Sequence, residues 1–170
     1  EGPEWSDLHL DSPSEPRDEI ALEGSGSPMV LSLHITPMEG TFGGEAIVHA
    51  ASRCGVEPGE MDIFHRYRNP KSPESLLFSM ANMVKPGTFP FGAMADFESP
   101  GLTLFAKVEG VTDDADRLQT MAETARCLAS ELDAQILDEA RSPFTPEVEE
   151  RLRDRVVELV TRRLSSSDRE

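Results

Sequence analysis

Two hydrophobic periods organise this chain. In "LTLFAKV", residues 102–108, Leu102, Leu104, Ala106 and Val108 fall on one side and Thr103, Phe105 and Lys107 on the other, the two-residue period of a strand. "MVLSLHI" at 29–35 alternates likewise, with Met29, Leu31, Leu33 and Ile35 against Val30, Ser32 and His34. "MDIFHRYR" at 61–68 and "LLFSMANMV" at 76–84 are further strands. Strand follows strand here, which favours antiparallel pairing.

The helical period appears three times. "EAIVHAASRC" at 45–54 spaces Ala46, Ile47, Ala50, Ala51 and Cys54 for one face of a helix, and Gly55 supplies the stop. Thr112 and Asp113 are N-cap candidates for a long helix with Leu118, Met121, Ala122, Ala125, Leu128, Ala129 and Leu132 in its stripe. After a short strand, "AQILD", the pair Thr145-Pro146 opens a last helix striped by Val148, Leu152, Val156, Leu159, Val160 and Leu164. The order is strand, helix, three strands, helix, strand, helix, with short extra strands considered at 87–91 and 140–144. An α+β domain with helices on one face of an antiparallel sheet satisfies it, and the other face is then solvated or bound.

The alternation also assigns side chains to faces. With Leu104, Ala106 and Val108 turned to the helices, Phe105 points away. With Phe64 inward, Met61, Ile63, His65 and Tyr67 join Phe105, and with Phe78 and Met80 inward, Ala81, Met83 and Lys85 do too. On the first strand Met29, Leu31 and Leu33 are set outward and Val30, Ser32 and His34 inward, against what burial alone would choose. Methionines and an aromatic with a lysine at the edge fit a protein-interaction groove. The bland alternative is that loops or the domain's own tail cover them.

Residues 1–27 show no sustained apolar period and are rich in Pro, Ser, Gly and carboxylates, which reads as a disordered linker. Trp5, Leu8 and Leu10 are either stray apolar residues there or a short docking motif. The globular domain then spans 28–165, and 166–170 is read as a frayed tail. The 170 residues hold 32 acidic against 16 basic, a net charge of −16, which argues against nucleic acid and against adhesion to anionic lipid. No apolar run is long enough to cross a bilayer. The start at Glu1 reads as that of a fragment or processed product, whose membrane anchor would lie further upstream.

Candidate chemistry is sparse. His34, His49 and His65 lie on separate elements without ligand spacing, so no metal is expected. No G-x-S-x-G elbow or phosphate loop occurs, "FGGEA" at 42–46 reads as a turn, and Asp113, Asp114 and Asp116 read as first-turn carboxylates. No catalytic residue and no cofactor is assigned. Cys54 and Cys127 read as plain buried thiols, suited to a reducing compartment.

Four blocks carry a resemblance: "GEMDIFHRY" at 59–67, "LFSMANMVKPGTF" at 77–89, "DFESPGLTLFAKV" at 96–108 and "ILDEARSPFTPE" at 136–147. In this order they resemble the C-terminal domain of the ZipA family of bacterial cell-division proteins, over about residues 29–160. The resemblance implies a non-enzymatic, six-stranded antiparallel sheet with three helices across one face. It also implies that the opposite face binds the C-terminal tail peptide of the tubulin-like division protein FtsZ and tethers its filaments at the inner membrane. Carried over by motif position, the peptide contacts are Met29, Leu31, Met61, Ile63, Ala81, Met83, Lys85, Thr103 and Phe105. The competing class is a small-molecule-binding regulatory domain that uses the same sheet face.

Overall fold

The structure, a computed structural model, describes residues 29–168. The arm at 1–27, with Trp5, Leu8 and Leu10, lies outside the described residues. Eight strands and three helices follow in the order β1 (Met29–Pro37), β2 (Phe42–Gly43), α1 (Gly44–Cys54), β3 (Glu57–Pro58), β4 (Phe64–Tyr67), β5 (Leu76–Asn82), β6 (Glu98–Ser99), β7 (Leu102–Val108), α2 (Asp113–Leu132), β8 (Ala134–Leu137) and α3 (Pro146–Asp168). Six strands form one antiparallel sheet in the order β3-β4-β5-β7-β1-β8, and β2 and β6 make a small ribbon. The α+β architecture read from the periodicities is thus present.

Register settles the faces, because directly opposed residues on neighbouring strands point the same way. Leu104 is paired with Leu33 of β1 and Met80 of β5, and Leu102 with Ile35. These side chains share one core with Ile47 and Ala50 of α1, Leu118, Met121, Ala125 and Leu128 of α2, and Val156 and Leu159 of α3. All three helices therefore close the same face of the sheet.

This overturns the assignment of the first strand. Met29 pairs with Val108 and Leu31 with Ala106, so Met29, Leu31 and Leu33 face the helices and lie in the main core. Val30, Ser32 and His34 take the opposite face, opposite Lys107, Phe105 and Thr103. The larger apolar area of the Met29-Leu31-Leu33-Ile35 set decides the matter, since burying it gains far more than burying one valine, a serine and a histidine.

The helix ends show which local signals operate. Gly55 ends α1 at φ 87°, a left-handed conformation that glycine adopts without steric cost. Thr145 Oγ1 accepts the Val148 N–H at 3.2 Å, the expected cap of α3. Neither Thr112 nor Asp113 caps α2 through its side chain. Instead the buried Asp114 carboxylate accepts the N–H groups of Gly110 and Val111 at 2.7 and 2.9 Å and pairs with Arg117 at 2.6 Å. In "FGGEA" glycine is required by contact: a Cβ on Gly44 would stand 2.1 Å from the Met94 carbonyl oxygen. Around 140–144 a single bridge joins Leu137 and Pro143, and 87–91 forms no strand. α3 runs on to Asp168, past the boundary read at Ser165.

A second correction concerns the cysteines. Cys54, at the end of α1, and Cys127, within α2, form a disulfide across 73 residues of sequence. They meet because α1 and α2 pack side by side, a neighbourhood that no local spacing encodes. Closing a loop of that length restricts the unfolded chain by up to about 4 kcal/mol. Cys54→Ser with Cys127→Ser is therefore expected to lower stability by about 2 to 4 kcal/mol while the domain still folds. Urea unfolding of the oxidised protein and the double variant measures the difference; equal midpoints would show that the bond adds nothing.

Candidate functional site

Strand β7 builds the face turned away from the helices, because it is paired on both sides and contributes every second residue to each layer. Two cross-strand rows result. In one, Phe105 stands between Ser32 of β1 and Ser79 of β5, and Ser79 is in turn opposite His65 of β4. In the other, Thr103 lies between His34 and Ala81. Serines on either side of the ring leave its edges clear of bulky cross-strand neighbours.

The apolar part of this face is a small cluster of its own: Ile63, Ala81 and Phe105, with Val30 packed against them. Ile63 and Ala81 are fully buried and Phe105 keeps 9% of its surface exposed. The sheet thus has a large core on one side and an aromatic-centred one on the other. Beside it opens a cleft of about 450 Å³, lined among others by Val30, Met61, Ile63, Tyr67, Phe105 and Lys107. Asp114 and Arg117 line it as well, and Arg117 donates to the Leu77 carbonyl at 2.9 Å.

Buried polar groups of the face are satisfied in pairs. His34 Nδ1 lies 2.9 Å from Thr103 Oγ1. His65 Nε2 is 2.9 Å from the Glu60 carbonyl, which can only accept, so in the neutral ring Nε2 carries the hydrogen and Nδ1 accepts from the Ser79 hydroxyl at 2.8 Å. That bond also anchors the short 3-10 turn Glu60–Asp62, where Met61 and Asp62 adopt left-handed φ values of 63° and 59°. Such a backbone costs a non-glycine residue about 1 kcal/mol or more, and it sets Met61 at the cleft rim with 49% of its surface exposed.

The residues assigned from the resemblance now separate into groups. Ile63, Ala81, Thr103 and Phe105 come together on this face, and Met61 flanks them at the cleft. Met83 follows β5, half buried, bonded through its N–H to the Gly101 carbonyl. Its thioether rests on Gly101, where a Cβ would stand 2.7 Å from Met83 Cε. Lys85 lies just beyond it and is exposed. Met29 and Leu31 do not belong, being on the helix side; Val30 and Ser32 stand in their places. The signal that would have found Val30 and Ser32 was already in the alternation, had burial been allowed to orient β1. Among the described residues no group of three or more His, Cys, Asp or Glu side chains could hold a metal ion.

Comparison with known proteins gives the family. The family model described as "ZipA, C-terminal FtsZ-binding domain" matches residues 29–155. The cell division protein ZipA of Marinobacter nauticus (strain ATCC 700491 / DSM 11845 / VT8) is 34% identical over 151 residues, which cover 86% of this chain and 45% of that protein. The chain thus spans a little under half the length of this relative. On the family match, over residues that include the whole sheet and most of the helical layer, the chain belongs to the family of ZipA C-terminal FtsZ-binding domains.

Proposed function

We propose that the face of the sheet opposite the helices binds the C-terminal tail peptide of FtsZ, and that the protein acts as a cell-division adaptor tethering and stabilising the septal ring at the cytoplasmic face of the inner membrane. The family is one of division adaptors rather than enzymes. The observation that carries the reading is the second apolar cluster, Ile63, Ala81 and Phe105 with Val30, segregated by the register of β7 from the main core and placed beside a cleft. A sheet that needed only to cover its helices would not need an aromatic on its far side.

In this reading Phe105 is the anchor, and Val30, Met61, Ile63, Ala81 and Met83 shape the groove around it. Thr103 and Ser32 space the ring from its neighbours, and Lys85 and Lys107 add positive charge near its edges. Peptide recognition of this kind works through a few apolar anchors filling a shallow cleft. Ordering a flexible tail offsets much of the contact energy, so one peptide binds with a Kd on the order of micromolar. A polymer presenting many tails to many tethered domains raises the apparent affinity without new contacts.

The cleft's volume of about 450 Å³ also lies in the range of small-molecule sites. A regulatory ligand there would shift thermal stability in a metabolite panel while the tail peptide would not bind. Titration with the peptide separates the two.

Two expectations follow from the anchor geometry. Leu104→Ala removes a side chain enclosed in the main core and should destabilise the fold by about 3 to 5 kcal/mol. Phe105→Ala should destabilise the fold as well, since the ring keeps only 9% of its surface exposed, but unlike Leu104→Ala it should weaken peptide binding by the folded protein by about 2 kcal/mol or more. Melting curves and titrations on both variants give the answer, and a Phe105→Ala protein that is strongly destabilised but binds normally when folded would refute the assignment. Lys85→Ala should cost less than about 1 kcal/mol, mostly lost in added salt, as for other rim charges. A larger, salt-insensitive loss would place Lys85 within the groove.

A further inference from the structure

The sheet is not closed along its whole length. Strands β5 and β7 pair through Ala81–Thr103 and Ser79–Phe105, and the bond from the Met83 N–H to the Gly101 carbonyl, 2.9 Å, continues the same register. Residues two apart on a strand turn their hydrogen-bonding groups to the same neighbour, so Leu77 and Lys107 stand next in line. That rung does not form: the β5–β7 pairing ends at Ser79 and Phe105. Yet β5 stays paired to β4 as far as Leu76, and β7 to β1 as far as Val108. Beyond the Phe105 row the sheet therefore forks, with β3, β4 and β5 on one prong and β7, β1 and β8 on the other.

Arg117 of α2 spans the fork. Its Nε donates to the Leu77 carbonyl at 2.9 Å and its Nη2 to the Leu76 carbonyl at 3.3 Å, where β7 would otherwise have supplied a donor. Its Nη1 donates to Asp114 at 2.6 Å, and the Asp114 carboxylate accepts the N–H groups of Gly110 and Val111, close behind the end of β7. One arginine–aspartate pair thus joins both prongs to the first turn of α2.

The chemistry of the fork limits what it can hold. It opens into the cleft that also carries Met61 and Phe105, and its walls add Leu76, Leu77, Ala106 and Val111. Three carboxylates, Glu60, Glu109 and Asp114, line the cleft against Lys107 and Arg117, so an anionic group meets no net positive charge there. Each nitrogen of Arg117 already has an acceptor, and its charge is balanced by the fully buried Asp114, yet its side chain keeps 16% of its surface exposed. With its edges engaged, the guanidinium offers a ligand its flat face, fixed in one plane by three hydrogen bonds. A planar cation between apolar walls is suited to stack on a neutral aromatic ring. Such a ring also brings apolar area for the walls to bury.

We propose that the fork is an aromatic subsite, in which a ring carried by the partner peptide enters between β5 and β7 and stacks on Arg117, a proposal that rests on the face bearing Phe105 being the peptide site. Ser79 and Phe105 form the boundary between the face and the fork, so a peptide lying over Phe105 needs only to turn one side chain into it. An aromatic at that place in the partner fixes its register and direction along the sheet, which a small cluster of rounded apolar side chains does not do by itself.

The test compares a ring with its saturated counterpart on the parent protein. N-acetyl-phenylalanine methylamide and N-acetyl-cyclohexylalanine methylamide are titrated in turn while backbone amide and arginine Nε–H shifts are followed. The phenylalanine probe should move the Arg117 Nε–H upfield, with the amides of Leu77, Lys107 and Val111, and bind about threefold to tenfold more tightly than the cyclohexyl probe. Arg117→Lys keeps the charge, removes the flat face and should abolish that preference. Shifts of α3 that match the parent's show this variant to be folded; where they do not, the parent titrations decide. The FtsZ tail peptide is expected to move the Arg117 Nε–H in the same sense, and to lose the same factor in affinity when cyclohexylalanine replaces its aromatic residues. A peptide that perturbs the Phe105 row but leaves Arg117 unmoved overturns the subsite and leaves the proposed function standing. Equal binding of the two probes overturns the subsite as well. If the peptide binds nowhere, the proposed function fails by itself, and the subsite is decided by the two probes alone.

Discussion

The double pairing of β7 is the constraint on which the rest of the structure depends. Its neighbours β5 and β1 hold it in a fixed register, and that register sends Leu102, Leu104, Ala106 and Val108 into the helical core and Thr103 and Phe105 into the other layer. A slip of one residue would bury Lys107 under the helices and expose four aliphatic positions. The same alternation that makes the core thus makes the site, and neither can be shifted without losing the other.

How much of this the sequence discloses depends on the range of each interaction. The long stripes of α2 and α3, the Gly55 stop and the Thr145 cap are local and were legible, as was the placement of Phe105 and Ile63 away from the helices. The orientation of β1 was legible too, but only from burial: motif position turned Met29 and Leu31 outward, and the area of the Met29-Leu31-Leu33-Ile35 face turns them in. Hidden from the sequence were contacts between distant segments. The Cys54–Cys127 disulfide, the buried Asp114 that bonds back to Gly110 and Val111, and the two-residue strands β2, β3 and β6 exist only after the layers have packed. The turn at Met61 and Asp62 is a similar case, since its left-handed backbone is held by a hydrogen bond from His65.

The site's energetics suit an adaptor that must let go. A cluster of a few apolar residues, flanked by serines and paired histidines, has little area with which to offset the ordering of a peptide. In the proposed function its strength therefore comes from repetition along a filament rather than from one contact.

The most direct measurement is amide chemical-shift mapping of the chain during titration with the FtsZ tail peptide. The largest perturbations are expected at Ser32, Ser79, Ala81, Thr103 and Phe105 and around Met61, on the strands that meet at the Phe105 row, with α3 unmoved. Perturbations concentrated on α1, α2 or α3, with the Phe105 row silent, would contradict the account.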